Sequence, residues 1–145
     1  MEDKIWFSIE NRMPHEEIDG VTRVTKSNLL QFINQIEESI EAFKREVEWD
    51  EMWSVKEAKK RFSNNEVLFL LRDNKGALGH VWFQEDYLYN MFVSERRVTG
   101  TSMRFILHCF NYVPYKNIKL YCDSWNYKAQ KFFKKVGAKK ISSYL

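Results

Sequence analysis

Asn126-Tyr127-Lys128-Ala129-Gln130-Lys131-Phe132-Phe133-Lys134-Lys135-Val136-Gly137-Ala138 is the stretch on which the fold is decided. Ala129, Phe132, Phe133 and Val136 recur at steps of three, one and three, which places them on one face of a helix. Asn126 stands where that helix starts, and its side-chain oxygen suits an orphan amide. Gly137 stands where a helix closes on a left-handed residue. The lysines between the apolar positions read as a solvated face.

Working upstream, Ile118 to Cys122 reads as a strand. Before it, Met103, Ile106, Leu107, Phe110 and Val113 mark another helix, which Pro114 ends. The turn Arg97-Val98-Thr99-Gly100-Thr101-Ser102 leads into that helix from a strand over Tyr87 to Val93. A helical crossover of this kind makes the two flanking strands parallel, with a right-handed connection. Further upstream, Val67 to Leu71, Leu78 to Phe83 and Tyr87 to Val93 are joined by Asp73-Asn74-Lys75-Gly76 and by Glu85-Asp86. Connections this short imply an antiparallel meander.

Toward the N-terminus, Ile5 to Ile9 reads as a strand and Val21 to Thr25 as a shorter one. Leu29, Phe32, Ile33, Ile36, Ile40, Phe43 and Val47 predict a helix, with Thr25 or Ser27 as its cap. Ser54 and Glu57 have capping-box spacing, so a second helix is expected over Ser54 to Phe62. Lys140 to Leu145 should form a final strand.

The 145 residues fit one domain, 1–145. A hydrophobic content of 44% excludes a disordered chain. Met1 to Trp6 has no basic region followed by an apolar run, and no stretch approaches a membrane span, so a cytoplasmic protein is expected. Cys109 and Cys122 read as reduced core thiols. His15, His80 and His108 are scattered, so no metal is expected. The net charge of +3 is mild but uneven. The first half is acidic between Glu37 and Glu51, and the end carries six lysines from Lys128 to Lys140.

The turn at Arg97 to Ser102 is chemically suggestive. The first amides of a helix lack internal partners, and the helix dipole makes that end attractive to phosphate. Gly100 allows close backbone approach, Arg97 adds charge, and Thr99, Thr101 and Ser102 add hydroxyls. By itself the turn reads first as an ordinary capped turn, with Thr99 or Thr101 as the cap.

The two segments taken together resemble the GNAT superfamily of N-acetyltransferases. Arg97-x-x-Gly100-x-Ser102 resembles the family's pyrophosphate loop, with Ser102 in place of a final Gly or Ala. Asn126, Ala129, Phe132 and Gly137 match the family's second motif in register. The resemblance covers about Val67 to Ile141. It implies an α/β fold of the mixed (α+β) kind: a central sheet of about six strands with an antiparallel meander, a parallel splayed pair and about four helices.

The resemblance also implies chemistry. The cofactor is acetyl-CoA, its arm lying along Phe92 and Val93. Its pyrophosphate lies on the amides of Val98, Thr99, Gly100, Thr101 and Ser102 beside Arg97. Asn126 and Phe133 stand on the other wall. The reaction is direct attack of an amine, of a small molecule or a protein, on the acetyl thioester. Many members use the Tyr of the second motif as general acid; here that position is Phe133. Glu85, Tyr87, Tyr89 and Asp123 are the candidate catalytic residues, with Asp86, Tyr121 and Tyr144 as further proton carriers. Phe133 leaves a second reading open, a CoA-binding module that acts through protein interaction. A third, weaker reading is nucleic-acid binding through Trp125, Tyr127 and the lysines. Members usually have two strands after the second motif, and this chain has room for one. An open sheet edge there implies pairing with a second copy.

Overall fold

A computed structural model describes residues 4–47, 62 and 65–142. Seven strands form one mixed sheet: β1 (Lys4–Glu10), β2 (Val21–Val24), β3 (Glu66–Asp73), β4 (Gly76–Gln84), β5 (Tyr87–Val93), β6 (Asn117–Asp123) and β7 (Lys139–Ser142). Their spatial order is β2-β3-β4-β5-β6-β1-β7. The described helices are α1 (Ile33–Val47), α2 (Thr101–Phe110) and α3 (Tyr127–Val136). The expected helix over 54–62 lies outside the described residues, apart from Phe62, which is buried and stacks on Trp82.

The sheet separates two apolar layers. On one face Ile36 and Ile40 of α1 pack with Leu68, Leu70 and Trp82. On the other, Phe105, Ile106, Cys109 and Phe110 of α2 and Phe133 of α3 pack with Phe69, Val81 and Phe83. Strands β3 and β4 are therefore covered on both sides, which explains their near-continuous apolar sequence. α1 begins differently from expectation. Leu29–Phe32 is a 3-10 turn, and no side chain caps it. The hydroxyls of Thr25 and Ser27 bond each other instead, 2.8 Å apart.

β1 lies where its sequence alone does not put it. It runs antiparallel between β6 and β7, with Phe7 opposite Leu120 on one side and Lys140 on the other. Ile5, Phe7 and Ile9 alternate inward, and Phe7 meets the Phe133 ring edge-on at 5.5 Å. The N-terminal strand thus separates β6 from β7 in the sheet. Among the described residues β7 is an edge strand, paired with β1.

Gly79 fixes how closely β4 and β5 approach. A Cβ there would lie 2.3 Å from the Phe92 carbonyl oxygen and 2.9 Å from the Val93 Cα. Both are backbone atoms and cannot swing aside. Gly79→Ala is expected to cost about 1–3 kcal/mol by overpacking. Urea unfolding that leaves the midpoint unchanged in this variant would contradict the register.

Candidate functional site

β5 and β6 are parallel but touch at one end only. Tyr87 pairs with Lys119, and the Lys119 amide donates to the Asp86 carbonyl at 2.8 Å. Beyond that point the strands diverge, and a cleft of about 910 Å³ opens between them. Tyr89, Asn90, Phe92 and Val93 line it from β5, Tyr121, Cys122 and Asp123 from β6. α3 supplies Ala129, Phe132 and Phe133, preceded by Asn126; Phe43 and Glu46 reach in from α1. β5 carries an extra residue against β4: Trp82 pairs with Asn90 but Phe83 pairs with Leu88, leaving Tyr89 as a bulge.

The loop between β5 and α2 forms the mouth. Two turns follow each other there, closed by Arg97 N–H to Ser94 O and Thr101 N–H to Val98 O, each 3.1 Å. Gly100 sits at the N-cap of α2 with φ +90°, the left-handed region that favours glycine. No side chain caps α2. The Thr101 hydroxyl donates back to the Val98 carbonyl at 2.6 Å, so neither Thr99 nor Thr101 serves as the expected cap. Among the described residues the amides of Thr99, Gly100, Ser102 and Met103 have no acceptor in the protein. Arg97 uses one guanidinium nitrogen to hold the carbonyls of Val93 and Ser94, at 3.2 and 3.1 Å. Its other donors face no acceptor in the described protein. A row of amides, a cation and open space beside Gly100 come together at the wide end of the splay, a chemistry that suits an anion.

α1 braces this mouth. The Glu46 carboxylate accepts from the Ser94 hydroxyl and the Glu95 amide, both at 2.7 Å. On the opposite wall Asn126 caps α3: its Oδ1 accepts from the Ala129 amide at 3.1 Å. Its Nδ2 meets no acceptor in the described protein and is available to the cleft. Gly137 closes α3 at φ +110°, with its amide donating to Lys134 O.

The candidate catalytic residues separate in space. Tyr89 and Asp123 line the cleft; Glu85 and Tyr87 do not. Glu85 is exposed in the β4–β5 turn with φ +51°, below the point where β5 and β6 meet. The Tyr87 hydroxyl donates to Gln84, and burial pushes its pKa up. Asp123 holds Lys4 at 2.5 Å. Asp86 pairs with Lys119 at 3.5 Å. Tyr121 lies in the cleft, its ring tilted against that of Trp6 with centroids 4.9 Å apart. Tyr144 lies outside the described residues. Cys122 also reaches the cleft, and burial, reinforced by Asp123, pushes its thiol up, so it stays protonated near neutral pH.

Ser39 and Asn90, unremarked in the sequence, join His80, read there only as a scattered histidine, in a buried chain that reaches the cleft at Asn90. His80 Nδ1 lies 2.7 Å from the Ser39 hydroxyl, and its Nε2 lies 2.6 Å from Asn90 Oδ1. Ser39 and His80 are both 1% exposed. Burial pushes the His80 imidazole down to about 4.

This arrangement is the fold of the GNAT acetyltransferases. An acetyltransferase of that family from Colwellia psychrerythraea superposes with a TM-score of 0.64 at 16% identity, over 97% of this chain and 53% of that one. An aminoglycoside acetyltransferase from an uncultured soil metagenomic sample gives 0.65 at 16% identity, over 86% of this chain and 92% of that one. A functionally unknown conserved protein from Staphylococcus epidermidis gives 0.68 at 13% identity, over 97% of this chain. The chain spans 58% of that Staphylococcus protein. No family model matches the chain, and no curated protein matches it. Among the described residues no helix is long and apolar enough to cross a membrane.

Proposed function

We propose that the chain is an acetyl-CoA-dependent N-acetyltransferase acting on a primary amine. The observation that carries this is the single-ended β5–β6 pairing, which opens a cleft with an uncapped helix N-terminus at its mouth. The residues fit acetyl-CoA by their chemistry. The amides of Thr99 to Met103, with Arg97, would hold its pyrophosphate. The backbone of Phe92 and Val93 would pair with its arm as an added strand. Asn126 would donate from the other side. The bound thioester supplies an activated acetyl group.

The amine must arrive neutral to attack. Its nitrogen bonds the acetyl carbon, the C–S bond breaks, and the leaving thiolate gains the proton the nitrogen gives up. Glu46 and Asp123 are already committed, to Ser94 and Glu95 and to Lys4. Phe133 has no proton to give. That leaves Tyr89, Tyr121 or solvent in the cleft to carry the proton, and a thiol of pKa about 8.5 is a tolerable leaving group near neutrality. The protonated Cys122 thiol favours direct attack over an acyl-cysteine route.

The aminoglycoside acetyltransferase among the structural neighbours makes polyamine acceptors a sensible first panel. Two measurements test the reading together: melting temperature with and without acetyl-CoA, and free-thiol release with amines. A stabilised protein that releases thiol is the expected result. Stabilisation with no turnover across the panel would favour the CoA-binding module instead. Absence of both would overturn the proposal. Cytoplasmic location and pairing of two copies through the β7 edge are further proposals. Sedimentation at micromolar concentration tests the pairing, and a clean monomer mass would sink it.

A further inference from the structure

The Ser39–His80–Asn90 chain crosses three elements, α1, β4 and β5, and ends in the cleft. Asn90 Oδ1 is tied to His80 Nε2 at 2.6 Å. Its Nδ2 has no partner among the described residues, and no buried side-chain nitrogen or oxygen there lacks one. The Nδ2 is therefore solvent-accessible, and Asn90 lines the cleft. The tautomer follows from chemistry. Oδ1 can only accept, so Nε2 carries the hydrogen, and Nδ1 accepts from the Ser39 hydroxyl. Each link fixes the next, and the His80 ring at its centre packs against those of Phe43 and Phe92, at 6.1 and 5.9 Å.

Position along β5 says what this donor meets. The loop at Arg97 to Ser102 is at the wide end of the splay, past Val93. The closed end is at Tyr87. An arm anchored at that loop and paired along Phe92 and Val93 runs toward the closed end. Asn90 lies two residues further in than Phe92, on the same strand face and beside the Tyr89 bulge.

Resting on the acetyl-CoA reading, we infer that Asn90 donates through Nδ2 to the thioester carbonyl oxygen, with His80 and Ser39 as positioning residues that hold its amide in that sense. A pre-aimed donor of this kind polarises the carbonyl and favours the oxyanion that forms on attack.

Calorimetric titration of the intact chain with acetyl-CoA and, separately, with CoA tests this without any acceptor or turnover. CoA lacks the carbonyl, so the ratio of the two affinities reports the contact. The wild-type chain is expected to prefer acetyl-CoA. Asn90→Ala should reduce that preference by about tenfold while CoA affinity stays within a factor of two. Asn90→Asp, which has no N–H, should do the same. His80→Phe keeps ring volume but frees the Asn90 amide, and should reduce the preference in the same direction. A wild-type chain that binds neither ligand would sink the acetyl-CoA reading itself. A wild-type chain with no preference, variants with the preference intact, or variants that lose both ligands equally would each overturn the role given to Asn90.

Discussion

Gly100→Asp is expected to abolish acetyl-CoA binding in practice, with at least a hundredfold loss of affinity, or about 2.7 kcal/mol. Gly100 stands at the N-cap of α2, where the amides of Thr99, Ser102 and Met103 have no acceptor among the described residues. A carboxylate there would satisfy those amides itself and place negative charge where the pyrophosphate belongs. Gly100→Ala separates this effect from backbone strain. A Cβ at Gly100 meets nothing within 4 Å, so it brings no clash. The positive φ of +90° remains, and an L residue there costs on the order of 1–2 kcal/mol. The alanine variant should therefore melt earlier but bind acetyl-CoA within a few-fold of wild type. Calorimetry on both variants decides the matter. An aspartate variant that binds as well as the alanine variant would show that the anion lies elsewhere.

The second large effect is on stability. His80 is held neutral, its imidazole pushed down to about 4 by burial, against an ordinary value of 6.5. Between those two values the unfolded chain binds a proton that the folded chain does not. Stability therefore rises with pH across that window: the contribution is present above pH 6.5 and is lost as pH falls toward 4. The loss is on the order of 3 kcal/mol. His15 and His108 are also pushed down by burial and act with the same sign. His80→Phe isolates this contribution, because phenylalanine cannot titrate. Urea midpoints should fall steeply between pH 7 and pH 4.5 in the wild-type chain and less steeply in the variant. Equal slopes would show that His80 is not buried in its neutral form.

The two motifs were legible because each is local. Asn126, Phe133 and Gly137 lie within one helix and its caps, and the observed α3 has Asn126 at one end and a left-handed Gly137 at the other. The meander was legible for the same reason: Asp73 to Gly76 and Glu85 with Asp86 are short turns between apolar runs. The place of β1 was not legible. Ile5, Phe7 and Ile9 announce a strand with one buried face, but nothing in them names a partner. Phe7 finds Leu120 and Lys140, both more than a hundred residues away.

The same limit hid part of the site. Ser39, His80 and Asn90 sit on three elements, separated by 41 and 10 residues. The available signal was a lone histidine in the apolar run Leu78 to Phe83, together with strand alternation that sets Asn90 on the face of Phe92. The Tyr89 bulge had no glycine to announce it. The hydroxyls at Thr99 and Thr101 suggested a cap, but Thr101 turned back to Val98 and left the helix end open.

Hydrogen–deuterium exchange with and without acetyl-CoA tests the location of the site most directly. The amides of Phe92, Val93 and Thr99 to Met103 should slow markedly when acetyl-CoA is present, with Asn126 following. Acetyl-CoA binding that slows amides in other parts of the chain and leaves these unchanged would contradict the site.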